Sequence, residues 1–139
     1  MFLQQMDDRV EVKRDWFNQY RFHLVQSIEQ VRKLVDMCIS RGICSLDTET
    51  TGVDTRVYPD SYFEDGVVTR NGIRTVDRVV GVCISFDGEN GYYIPLSHEP
   101  EDSGNLPWDL TWDELTRLVF DCRIIFHNQK FDAEMLYPL

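Results

Sequence analysis

The segment Gly42-Ile43-Cys44-Ser45-Leu46 is a short apolar run that breaks off into Asp47-Thr48-Glu49-Thr50-Thr51-Gly52. A run of that length, bounded by turn residues and charges, predicts a core strand. Side chains alternate between the two faces of a strand, so Asp47 and Glu49 emerge on one side while Thr48 turns to the other. A second acidic segment, His127-Asn128-Gln129-Lys130-Phe131-Asp132, follows another apolar run, Arg123-Ile124-Ile125-Phe126. Both segments therefore stand at strand ends, where α/β sheets commonly place their sites.

Two carboxylates forced to share space disfavour one another's charge unless a cation neutralises them or one is protonated. Hard divalent ions with oxygen ligands, Mg²⁺ or Mn²⁺, meet that need. A pair of them about 3.5–4 Å apart can stabilise both the attacking and the leaving oxygen of a phosphodiester. Asp132 is the candidate third ligand. An isolated Asp-x-Glu is more often a solvated strand end, so the weight rests on the two segments together.

Around these segments the chain punctuates itself. Residues 1–21 mix charge and aromatics (Arg9, Glu11, Lys13, Arg14, Trp16, Phe17, Tyr20) without periodicity and are expected to form an N-terminal arm. Phe22 to Val25 predicts a short strand. Ser27 with Gln30 forms a capping box that opens a helix through Ile28, Val31, Leu34, Val35 and Cys38, closed by Gly42. From Val53 to Asp77 the pattern dissolves into turn signals, and Val67-Val68-Thr69 before Asn71-Gly72 favours a hairpin there. Arg78–Phe86 and Tyr92–Leu96 predict a second hairpin. Thr111 with Glu114 predicts a capping box and a helix through Leu115 and Leu118. Arg123–Phe126 predicts a strand, and Gln129–Leu136 a final helix, capped by Asn128. Strand, helix, strand, hairpin, helix, strand, helix is the order of an α/β fold with a mixed sheet and flanking helices.

At 139 residues the chain fits one domain with its own core. No stretch approaches the roughly 18 apolar residues of a membrane span, and the N-terminus lacks the plan of a signal peptide, so a cytoplasmic protein is expected. Cys38, Cys44, Cys83 and Cys122 have no Cys-x-x-Cys spacing and are expected to be reduced core thiols. A formal charge of −10 counts against extensive phosphate contact by Lys and Arg. Bound metal ions would supply positive charge where a substrate of a few nucleotides binds.

The two acidic segments resemble the first and second motifs of the DEDD superfamily of 3′–5′ exonucleases, which have a ribonuclease H-like fold. Between them, Arg78–Phe86 followed by Gly91–His98 is similar to the hairpin of the proofreading domain of family A DNA polymerases, the bacterial polymerase I and phage type. Free-standing proofreading subunits share the two acidic motifs and are the alternative. The resemblance covers residues 22–137, and the insertion from Arg56 to Val76 is longer than the corresponding bacterial loop.

What the resemblance implies is metal-assisted hydrolysis of the 3′-terminal phosphodiester of single-stranded DNA, releasing nucleoside monophosphates. Asp47 would bridge two metals, Glu49 would hold the one that activates water, and Asp132 would hold the second. Thr48, Thr50 and Asn128 are candidate substrate contacts, with support of the motif as the other role for the threonines. Phe131 is expected in the core, and His127 is read as a strand-end residue that supports the fold. The family's third motif, an aromatic or imidazole followed by a fourth carboxylate, has no counterpart before Leu139. The fold is therefore expected to be C-terminally truncated, completed by a further segment or a polymerase domain, and to expose apolar surface until it is. A non-catalytic DNA- or polymerase-binding remnant is the other functional class.

Overall fold

The computed structural model describes residues 20–100 and 104–138; the expected arm over residues 1–21 lies almost wholly outside them. Among the described residues seven strands and three α-helices follow one another as β1 (Arg21–Leu24), α1 (Ile28–Arg41), β2 (Ile43–Thr50), β3 (Val57–Pro59), β4 (Ile73–Thr75), β5 (Val79–Ser85), β6 (Asn90–Pro95), α2 (Trp108–Asp121), β7 (Arg123–Phe126) and α3 (Gln129–Leu136). Five strands form one mixed sheet in the order β1-β6-β5-β2-β7. β2 lies between antiparallel β5 and parallel β7, while β1 runs parallel to β6 at the far edge.

Local chemistry explains the boundaries of α1. Ser27 is its N-cap and accepts from the Gln30 backbone N–H at 3.2 Å, while Gln30 Oε1 accepts from the Gln26 N–H at 2.8 Å. The reciprocal half of the capping box thus falls one residue earlier than the usual pattern. Gly42 ends the helix at φ 79°, its N–H returning to Cys38 and Ile39 carbonyls, a left-handed position that favours glycine.

The core lies on one side of the sheet. Val31, Leu34, Val35 and Cys38 of α1, Leu115 and Leu118 of α2, and Met135 of α3 pack with Cys44, Leu46, Val82, Ile84 and Ile94 of the strands in a single cluster. Phe131 packs partly buried against it. The alternate strand residues face away from the helices. Cross-strand register sets them in rows: Phe22, Gly91, Ser85, Ser45 and Ile125 in one, then Leu24, Tyr93, Cys83 and Asp47 in the next. Phe22, Leu24 and Ile125 are exposed.

Several expectations need correcting. The helix α2 begins at Trp108 behind Pro107, so Thr111 is no cap; it is fully buried in the first turns, with its hydroxyl unpartnered among the described residues. Glu114 holds Arg117 on the same helix instead of reaching back to a cap. The insertion does contain a strand pair, but it is β3 with β4, and Val67–Thr69 lies between them outside any strand. Asp60 organises that excursion by accepting from the Thr69 N–H and hydroxyl, which competes with strand pairing there. Asn128 occupies the N-cap position of α3 without a side-chain capping bond. Cys38, Cys44 and Cys122 are buried and free as expected, whereas Cys83 is only half-buried and faces away from the core.

Candidate functional site

β2 carries its two chemistries on opposite faces. Cys44, Leu46 and Thr48 are buried under the helices, and Ser45, Asp47 and Glu49 alternate with them toward the open side. The strand also outruns its neighbour: β7 pairs with it only as far as Leu46 opposite Phe126, and the chain then turns into α3. The backbone N–H of Thr48 consequently has no partner from β7. Asp132, in the first turn of α3, fills the gap, its Oδ1 accepting from that N–H at 3.3 Å and from the Thr48 hydroxyl at 2.6 Å. The second distance is that of a charge-assisted bond.

Asp132 is buried to 1% exposure, and its Oδ2 has no hydrogen-bond partner among the described residues. A buried carboxylate oxygen left without a partner is expensive, and a cation is one way of satisfying it. The donor chemistry of Asp47, Glu49 and Asp132 fits a hard, oxygen-seeking ion. Yet among the described residues no three His, Cys, Asp or Glu side chains are gathered as a metal-holding group. Asp47 and Glu49 come together on one face, while the bonds of Asp132 go to Thr48 on the other.

The remaining motif residues build the turn beyond β2. Thr50 donates to the Gly52 carbonyl at 2.6 Å, and Thr51 donates to Asp77 at 2.9 Å while accepting from the Arg78 N–H. Asp77 also accepts from the Asp54 N–H, and its carboxyl lies against Gly52 where any side chain would collide with it. These bonds tie the end of β2 to the start of β5. A bulge between Glu49 and Thr50 marks where the β2–β5 register shifts.

On the open face, Asp47 stands across from Cys83, and Cys83 across from Tyr93. Burial first, then the Glu49 and Asp47 carboxylates, push the Cys83 thiol up to about 11. Tyr93 is raised by burial and by Cys83 and Glu49. A shallow concavity of about 720 Å³ opens beside Asp47, lined by Phe22, Ser45, Ser85, Tyr93, Ile125 and the exposed His127 among others. Cys83 and Tyr93 belong to the hairpin of Arg78–Phe86 and Gly91–His98 but lie outside both acidic motifs. Their place follows from the alternation of the β5–β6 hairpin once its register against β2 is known.

No protein-family model and no curated protein sequence matches the chain. Among solved structures it is similar to the Nibbler EXO domain of Aedes aegypti, with a TM-score of 0.51 and 14% identity over 83% of this chain and 42% of that one. It is also similar to RNase D of Escherichia coli, an exoribonuclease involved in structured RNA processing, with a TM-score of 0.54 and 13% identity over 86% of this chain and 24% of that one. The chain thus spans less than half the length of either neighbour. At these identities the likeness is one of fold, and the fold is the ribonuclease H-like one of exonuclease domains.

Proposed function

We propose that the chain is the motif-bearing part of a metal-dependent 3′–5′ exonuclease domain. The observation that carries the reading is the pair Asp47 and Glu49, side by side on the uncovered face near the end of β2, an inner strand of a ribonuclease H-like sheet. Asp47 and Glu49 would hold a divalent ion, which when bound makes hydroxide available near neutral pH, and Asp132 would join them through the Oδ2 that its bonds to Thr48 leave over. The chain's own contribution is placement. β2 keeps the two exposed carboxylates in step, the Thr51–Asp77 bond fixes the strand end, and Thr48 fixes Asp132.

The finer setting, a proofreading domain of a family A DNA polymerase acting on a single-stranded 3′ end, draws support from the hairpin sequence of β5 and β6. The alternative of a free-standing exonuclease draws support from the RNase D and Nibbler folds. Partner polypeptide, either a completing segment or a polymerase domain, is proposed to cover the exposed Phe22, Leu24 and Ile125. No described helix is long and apolar enough to cross a membrane.

The test is degradation of 3′-labelled single-stranded DNA, and separately RNA, with Mg²⁺ and with Mn²⁺, beside Asp47→Ala. Release of mononucleotides that falls by more than about 100-fold in the variant is expected, since losing a ligand should exceed the loss from second-sphere changes. Equal rates for parent and variant would sink the reading. DNA degraded in preference to RNA would favour the polymerase setting over the free-standing one.

A further inference from the structure

The open face holds a second polar arrangement. The Tyr93 hydroxyl is 2.5 Å from His98 Nε2. Its ring leans diagonally across β5 so that the phenol lies directly over Gly81, where any Cβ would run into it. Gly81 is the cross-strand neighbour of Glu49. The phenol oxygen therefore stands over backbone that lies one strand spacing, about 4.8 Å, from the backbone that carries Glu49. His98 is itself clamped: its N–H donates to Asn105 Oδ1 and its carbonyl accepts from Asn105 Nδ2, each at 2.9 Å. Ser97 beside it donates to the Val79 carbonyl at 2.6 Å. A missing side chain, a fixed imidazole and a clamped loop all converge on the position of one hydroxyl.

We propose that Tyr93 is a substrate-contacting residue of this site, its hydroxyl donating to a non-bridging phosphate oxygen of a nucleic-acid strand lying across Asp47 and Glu49. With the proton of the pair on Nε2, His98 donates to the phenol oxygen and leaves the phenol proton free for the substrate. An uncharged donor suits this position, because it contacts an anion without adding a cation that the two carboxylates would capture. His98 acts through Tyr93 and is a positioning residue. The inference rests on the exonuclease reading and adds to it a contact outside the acidic motifs.

The test uses the full chain, Tyr93→Phe, His98→Gln, the double variant and Asp47→Ala. Each is assayed for hydrolysis of 3′-labelled oligodeoxythymidylate with Mn²⁺ and for binding of the same oligonucleotide by fluorescence anisotropy. Tyr93→Phe is expected to lower kcat/KM by about 10- to 100-fold and to weaken binding several-fold, as loss of a hydrogen bond to a charged group would. Its melting temperature should stay within a few degrees of the parent's. The double variant should be no worse than Tyr93→Phe alone, because His98 has nothing left to position. Tyr93→Phe equal to the parent in both assays, against an impaired Asp47→Ala, would overturn the inference and leave the exonuclease reading standing. A parent that neither binds nor hydrolyses would overturn that reading and the inference with it.

Discussion

The two faces of the five-stranded sheet are made from the same strands and do opposite work. Toward the helices, β2 and β5 present Cys44, Leu46, Thr48, Val82 and Ile84, all close-packed. Away from them, the same strands present Ser45, Asp47, Glu49, Cys83 and Ser85, none of which is buried. What separates structure from chemistry here is a period of two residues. No loop or extra domain is needed to hold Asp47 and Glu49 in the open, because the packing of their neighbours fixes where they point.

The sharpest test of this division is a cavity. Ile84→Ala on the covered face should destabilise the fold by about 2–5 kcal/mol, read as a lower denaturation midpoint at unchanged slope. A cost below about 1 kcal/mol would mean the helices do not close that face. Thr48→Val comes next. It removes the hydroxyl that Asp132 accepts from and leaves that buried carboxylate with the Thr48 N–H alone, at an expected cost of about 1–3 kcal/mol. Urea unfolding measures it, and a neutral result would show that Asp132 finds another partner. Smaller still, Ile125→Ala on the open face should fall within about 0.5 kcal/mol of the parent. If it costs as much as Ile84→Ala, something covers that face in solution.

The last test concerns charge instead of packing. Cys83 has an ordinary value of 9.0 raised to about 11 in the fold, by burial and then by Glu49 and Asp47. For a group raised in the folded state, the linked stability is fully present below the unfolded value and lost as pH rises through the folded one, here between about 9 and about 11. Alkylation of Cys83 by iodoacetamide, followed by peptide mass mapping, should show a midpoint near 11 in the folded chain. A midpoint near 9 would mean that neither burial nor the carboxylates act on this thiol.

Much of this was legible from the residues alone. The alternation of Leu46 and Thr48 against Asp47 and Glu49 is written into β2, and the ends of α1 are announced by Ser27 and Gly42. The misreadings have physical causes. Thr111 and Glu114 match a capping pattern, but Pro107, which cannot donate and suits a helix start, opens α2 a turn earlier. The bond between Thr48 and Asp132 spans 84 residues and exists because β7 stops short of β2, a fact about strand lengths that no local window contains. Tyr93, Gly81 and His98 meet through a diagonal lean across one strand, and only the three-dimensional register brings them together.

The register shift after Glu49, where β5 carries Val80 as the unmatched residue, gives the β2–β5 pair an unusual mutational grammar. Upstream of it, Ser45 to Glu49 match Ser85 to Gly81 one for one; beyond it, the pairing is reset at Thr50 opposite Val79. Single-residue replacements in this strand change one side chain on one face. Insertion or deletion of a residue ahead of the bulge would turn Asp47 and Glu49 under the helices and Thr48 into water in one stroke. Along this stretch the count of residues should therefore be held as strictly as Asp47 and Glu49 themselves.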